Sequence, residues 1–165
     1  MWLIDTDLRL DMFIKLNKLL PQYNFRYFGI KKHFDDAISR LNKEDRKILE
    51  NTYCGFIDNE KDMAQAINET KIVYNINAQG ISSLNYRTIQ VLACERLLIS
   101  DKRAELDLFN NIIPTYENIE DLALKIKYYL ENQNKYLKIT QQARKIIEKN
   151  HDSKICIQNM LKSLL

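Results

Sequence analysis

The chain has 165 residues, of which 45% are hydrophobic and 28% charged, with only three glycines and two prolines. This composition excludes a disordered, collagen-like or Gly/Pro-rich protein, and it favours helices over tight hairpins. The 25 basic and 22 acidic side chains leave a net charge of +3. Because the two signs are mixed along the chain, we expect no nucleic-acid partner.

The cysteines and the hydropathy of the chain indicate the compartment in which we expect it. Cys54, Cys94 and Cys156 are far apart and form no C-x-x-C pair, which argues against a disulfide framework and against a zinc site. The first residues carry acids where a signal peptide would carry basic residues, and no apolar run approaches the ~20 residues of a membrane span. We therefore expect a cytoplasmic protein without a transmembrane segment.

Short β-like runs alternate with longer helical segments along the chain. Short apolar or aromatic runs predict strands at residues 2–4, 25–30, 52–57, 72–76, 97–100 and 112–116. Apolar residues at helical spacing predict helices at 8–20, within the charged stretch 31–51, and at 60–69, 84–94, about 135–150 and 153–164. A further helix is predicted after Asn118, because Asn118 and Asp121 have the spacing of a capping pair.

This alternation predicts the fold class. Parallel strands need a crossover helix between them, so the order favours an α/β fold with a parallel sheet and helices on both faces. Right-handed crossovers give a Rossmann-like layout with a helical C-terminus. With no visible linker or repeat, we expect a single domain over residues 1–165, with C-terminal helices at about 135–165. Ligands of such sheets bind beyond the carboxyl ends of the strands.

The segment 71–101 carries the most chemistry. A predicted strand runs into a polar loop and then a helix, where Gly80 permits a tight turn and Ser83 is a candidate N-cap. The amino end of such a helix suits a phosphate. Ser83, Arg87 and Gln90 share one side of this helix, so Arg87 could pair with a phosphate and Gln90 with a sugar hydroxyl. The alternative is that this stripe is only the solvated face of an amphipathic helix.

The same segment resembles the C-terminal, donor-binding half of GT-B glycosyltransferases, and within them the CgeB-like (spore-maturation-protein-like) group. The resemblance covers roughly residues 53–161. The matching motifs are Asn75-Ile76-Asn77, residues 80–83, Arg87-Thr88-Ile89-Gln90, Ala93-Cys94-Glu95 and Ile99-Ser100-Asp101.

The resemblance implies a nucleoside-diphosphate sugar bound at the strand carboxyl ends, with Arg87 near the diphosphate. Two positions depart from the family pattern, because Gln90 stands where the family has Glu, and Glu95 where it has Gly. No catalytic residue is identified, and no metal motif accompanies the loop, so we expect binding without a metal or other cofactor. The candidate donor-binding residues are Asn77, Gly80, Ser82, Ser83, Arg87 and Gln90.

The length leaves two functional hypotheses open. A GT-B enzyme has two Rossmann-like domains, and 165 residues suffice for one. In the first hypothesis the chain is a glycosyltransferase or its donor-binding domain, working with an N-terminal acceptor domain or partner subunit outside this chain. In the second it is a non-catalytic Rossmann-like module that derives from a glycosyltransferase and binds a partner chain.

Overall fold

The computed structural model describes residues 6–76 and 84–162, and the chain divides after Met63 into two compact units. The predicted strand at 2–4 lies outside the described residues. No helix of the described segments is both long and apolar enough to cross a membrane. The expectation that residues 1–165 form one domain stays a prediction.

The first unit is built from three helices, α1 (Thr6–Leu19), α2 (Lys31–Ser39) and α3 (Lys43–Thr52). The helix predicted at 8–20 is confirmed as α1, while the charged stretch 31–51 contains two helices, α2 and α3. Their apolar faces meet in a core that includes the buried Phe13, Leu16, Phe34 and Leu49.

The strands predicted at 25–30 and 52–57 are wrong in extent. They are reduced to one parallel bridge between Tyr27 and Tyr53. Two backbone hydrogen bonds of 2.8 Å form this bridge, from Tyr27 N to Thr52 O and from Cys54 N to Tyr27 O. Helix α3 runs to Thr52, and Gly55 turns the chain with φ of +90°, so no residues remain for a longer strand. Of the aromatic residues in these runs, Tyr27 and Tyr53 pack against the buried Phe13 and Phe34, with the Phe34 and Tyr53 rings stacked at 3.9 Å between centroids. Phe56, by contrast, is 59% exposed.

A fourth helix, α4 (Glu60–Asn68), runs across the division between the units and ends in the second. The second unit contains a parallel sheet of β1 (Ile72–Asn75), β2 (Leu97–Asp101) and β3 (Thr115–Tyr116), in the order β1-β2-β3. In the register, Asn75 lies beside Ser100, and Asp101 beside Tyr116. The strands predicted at 72–76, 97–100 and 112–116 are thereby confirmed, the last one in shortened form.

Helices flank this sheet, as the Rossmann-like prediction requires. After β1 the unit contains α5 (Tyr86–Ala93), a 3₁₀ helix (Ala104–Phe109), α6 (Ile119–Glu131), α7 (Gln133–Asn150) and α8 (Ser153–Lys162). Helices α5, α6 and α7 contact the strands, and α8 packs on α7. Strand β2 is central, and its residues 97–100 are at most 1% exposed, which is why this strand reads as a continuous apolar run rather than an alternating one. Helix α5 crosses from β1 to β2 and packs against both strands and α7.

The start of α6 follows from a single residue, whereas α8 is distinguished by its exposure. The side chain of Asn118 accepts a 2.8 Å hydrogen bond from Asp121 N, so the predicted capping pair is confirmed at the start of α6. Helix α8 has no buried residue, and its Ile157, Met160 and Leu161 are all more than half exposed.

Candidate functional site

The carboxyl end of the sheet in the second unit is polar. Strand β1 ends in Asn75, β2 in Ser100 and Asp101, and β3 in Tyr116. Asn75, Ser100 and Tyr116 are buried, at 4%, 0% and 6% exposure, and Asp101 is half-buried. Buried polar groups need hydrogen-bond partners, so this edge of the sheet is organised by its side-chain bonds.

Two asparagines join β1 to α5. Asn75 Nδ2 donates to Asn85 Oδ1 at 3.1 Å, and Asn85 Nδ2 donates back to Asn75 Oδ1 at 2.9 Å. Asn75 Nδ2 also lies 3.4 Å from Thr88 Oγ1, inside the first turn of α5. The start of α5 is therefore tied to the carboxyl end of β1 by side chains.

A tyrosine ties the two outer strands together. The Tyr116 hydroxyl, on β3, donates a 3.0 Å hydrogen bond to the backbone carbonyl of Asn75 on β1, 41 residues earlier. Because β2 lies between β1 and β3 in the sheet, this bond crosses the end of the central strand. The carboxyl ends of all three strands thus share one hydrogen-bonded arrangement.

An ion pair marks the end of β2. Arg103 Nε donates to Asp101 Oδ2 at 2.7 Å, and the side chains are only 16% and 20% exposed. Ser100 Oγ donates to the other oxygen of Asp101 at 3.3 Å. A carboxylate and a guanidinium are consequently held side by side at this edge.

Helix α5 begins later than the sequence suggested. Its N-cap is Asn85, whose side chain accepts from Thr88 N at 3.3 Å, so the prediction of Ser83 as the N-cap is wrong. The Asn85 carboxamide also forms hydrogen bonds with the buried Asn75 side chain, and this tertiary contact favours Asn85 as the N-cap. Local spacing in the sequence does not reveal such a contact. Asn77, Gly80, Ser82 and Ser83 themselves lie outside the described residues.

The two described candidates both lie on α5. Arg87 is the second residue of the helix and is exposed, and Gln90, one turn further, is half-buried. Thr88, Val91 and Leu92, on another side of this helix, are buried, and Leu84 is half-buried.

The turn that follows α5 contains Glu95, at the position where the resembled family has glycine. Glu95 has φ of +56°, and its N–H donates to Leu92 O at 3.1 Å, while Arg96 N donates to Val91 O at 3.2 Å. These two bonds form a Schellman motif with Glu95 at its left-handed position, which glycine fills without strain. Glu95 therefore adopts the left-handed conformation that suits glycine, although a residue with a Cβ disfavours this conformation.

Cys94 and His151 could also carry chemistry, but their surroundings indicate roles in packing and helix ends. Burial raises the pKa of the Cys94 thiol, which disfavours a nucleophilic thiolate. His151 ends α7, with its N–H bonded to Ile147 O, and its ring stacks on Phe109 at 5.4 Å. Across residues 6–76 and 84–162, no three His, Cys, Asp or Glu side chains come together as a metal site would require.

Sequence reasoning missed three residues of this site. The prediction of Ser83 as the N-cap left Asn85 without a role. Tyr116 lay within the predicted strand 112–116 but was assigned no contact. Glu105, on the 3₁₀ helix, accepts a 2.7 Å hydrogen bond from Leu84 N through Oε2. These contacts join residues 10 to 41 positions apart, and only the polar strand ends could have signalled them.

The comparison with known families agrees with this architecture. Residues 9–162 match the glycosyl transferase-like family, which covers nearly the whole chain. No curated protein and no solved structure gives a match. A Rossmann-like parallel sheet with a polar carboxyl edge, together with a family match of this length, shows that the chain belongs to the glycosyl transferase-like family.

Proposed function

We propose that the second unit binds a nucleoside-diphosphate sugar at the carboxyl edge of its sheet, as the donor side of a glycosyl transfer reaction. The observation that carries this proposal is the polar edge of a parallel sheet in a chain of the glycosyl transferase-like family. Ligands of open parallel sheets bind outside the strand carboxyl ends, and here these ends carry Asn75, Asp101 and Tyr116.

Arg87 is the proposed partner of the diphosphate. Its exposed guanidinium starts from the first turn of α5, directly after the segment that leaves β1. A guanidinium binds phosphate oxygens through two parallel hydrogen bonds, and it stabilises the charge that grows on the departing diphosphate as the glycosidic bond breaks. Gln90, one turn further, would hydrogen-bond a ribose or sugar hydroxyl, and Asn77, Gly80, Ser82 and Ser83 would complete the contacts with the donor.

Donor binding is proposed to be independent of a metal ion, since the proposed cation for the diphosphate is Arg87. A titration with UDP in the presence and absence of EDTA tests this point. We expect the same dissociation constant in both buffers, and loss of binding with EDTA would contradict the proposal.

Thermal unfolding of the full chain with UDP and GDP tests the donor site. A nucleotide at 100 times its dissociation constant stabilises the folded state by about 2.7 kcal/mol, which raises the melting temperature by several degrees. Arg87→Ala should abolish the shift and Arg87→Lys should restore part of it, because lysine keeps the charge but not the paired hydrogen bonds. Lys145→Ala, which removes an exposed positive charge from α7, is the matched control and should behave like the wild type.

The outcome separates two functions. A nucleotide-induced rise that depends on Arg87 supports the donor site. No response to either nucleotide would contradict it and would favour a non-catalytic module that binds a partner chain.

A further inference from the structure

We propose that Glu105 is a positioning residue for the donor site, because its carboxylate fixes the backbone from which Arg87 projects. This inference rests on the donor-binding function proposed above and adds a residue to it. Glu105 itself would not touch the nucleotide.

The contact that carries the inference joins two distant segments. Leu84 N donates to Glu105 Oε2 at 2.7 Å, between a residue just before α5 and one just after β2. Both residues are half-buried. A hydrogen bond from an amide to a carboxylate is shorter and about twice as strong as one between neutral groups.

The position of Leu84 explains what the bond controls. Leu84 directly precedes Asn85, the N-cap of α5, and lies three residues before Arg87. Asn85 is held by Asn75 on β1, so the two residues that lead into α5 are anchored separately, one to β1 and one to the 3₁₀ helix. With both anchors in place, the first turn of α5 has one position relative to the sheet.

The carboxylate is mounted on a firmly packed element. Leu106 and Phe109 of the same 3₁₀ helix are 3% and 0% exposed, so the helix cannot shift without disturbing the core. The other acid of this helix, Asp107, is exposed. Glu105 is therefore the acid of this helix whose side chain accepts the hydrogen bond from Leu84 N. Asp107 offers a control of equal charge.

Charge and hydrogen bonding can be separated at this position. A carboxylate beside a diphosphate site repels the ligand, whereas the hydrogen bond to Leu84 favours binding by ordering the helix start. Glutamine keeps a side-chain oxygen for the Leu84 N–H and removes the negative charge. If Glu105 acts by positioning, Glu105→Gln must preserve nucleotide binding while Glu105→Ala weakens it.

The experiment is calorimetric titration of the full chain with UDP and with GDP. We expect Glu105→Ala to raise the dissociation constant at least fivefold, and both Glu105→Gln and Asp107→Ala to stay within twofold of the wild type. The ¹H shift of the Leu84 amide, measured without nucleotide, should move upfield in Glu105→Ala and less far upfield in Glu105→Gln, whose neutral oxygen is a weaker acceptor. Circular dichroism confirms that each variant is folded at the titration temperature.

Each result has a distinct meaning. If the wild type binds a nucleotide and Glu105→Ala binds it equally well, the positioning role is overturned while the donor site stands. Equal weakening in Glu105→Ala and Glu105→Gln would also overturn it, because an acceptor for the Leu84 N–H would then recover no binding. If neither nucleotide binds the wild type, the proposed function fails, and the positioning role fails with it.

Discussion

The side-chain amides of Asn75 and Asn85 face each other and exchange two hydrogen bonds, so the last residue of β1 and the N-cap of α5 satisfy one another. Asn75 is 4% exposed and relies on partners inside the protein. Asn85 thus has two tasks, since it also caps the backbone of α5 at Thr88.

Asn85→Ala should therefore destabilise the protein more than the loss of an ordinary helix cap. Loss of the cap costs about 1 kcal/mol, and the buried Asn75 amide that loses its partner adds about 1–3 kcal/mol. Asn118→Ala, at the exposed N-cap of α6, is the matched control and should cost about 1 kcal/mol. Urea unfolding followed by circular dichroism measures both, and equal losses would contradict the double role.

Tyr116→Phe tests the bond between the outer strands. The variant removes only the hydroxyl that donates to Asn75 O, in a residue that is 6% exposed. We expect the free energy of unfolding to fall by about 1–2 kcal/mol, because a buried carbonyl loses a hydrogen bond. Tyr128→Phe, which removes a hydroxyl at the surface of α6, should change it by less than about 0.5 kcal/mol. A Tyr116→Phe variant as stable as the wild type would show that the hydroxyl contributes nothing.

Glu95→Gly should stabilise the chain. Residues with a Cβ pay about 1–2 kcal/mol in the left-handed region that Glu95 occupies, and glycine gives back part of this through its greater freedom in the unfolded state. The expected net gain is about 0.5–1 kcal/mol. Glu148→Gly, inside helix α7, is the opposite control and should cost about 1 kcal/mol. Thermal melts of the two variants should shift in opposite directions, and a lower melting temperature for Glu95→Gly would refute this account of the turn.

The acid dependence of stability should include a contribution from Asp121. Its hydrogen bond from Lys125 Nζ, at 2.7 Å, holds the pKa of this carboxyl below its ordinary value. A group whose folded pKa is lowered stabilises the protein above its unfolded pKa, and this stability is lost as the pH falls through the folded pKa. The loss is expected below about pH 5.

Lys125→Met checks this assignment. The pKa of Asp121, followed by NMR of its carboxyl carbon, should rise in this variant, and the acid-induced loss of stability should become smaller. Lys127→Met removes an exposed charge from the same helix and should leave the Asp121 pKa unchanged. An unchanged pKa in Lys125→Met would show that the ion pair is not its cause.

Local patterns predicted the strands of the second unit well and those of the first unit poorly. The continuous apolar run of β2 and the Asn118–Asp121 cap both encode their structure within a few residues, and both are confirmed. The aromatic run at 25–30 also has strand character, but Tyr27 forms a single bridge because the segment that it pairs with follows directly on α3. A strand depends on its partners, which the run itself does not contain.

The site was predictable only in its location. Segment 71–101 contains β1, α5 and β2, as expected, and Arg87 lies in the first turn of α5. The choice of Asn85 over Ser83 as cap depends on Asn75, and the role of Glu105 depends on a backbone N–H 21 residues away. Such contacts arise from the packing of elements, and no spacing rule describes them.

Helix α4 sets the boundary for any shortened chain that isolates the second unit. The division after Met63 falls inside this helix, whose last residue, Asn68, accepts hydrogen bonds of 3.2 and 2.9 Å from Arg96. A truncation at residue 63 would discard the capping Asn59, which accepts from Asp62 N at 2.9 Å, and would leave less than two turns of helix attached to Arg96. Expression of the second unit alone should therefore start upstream of Asn59.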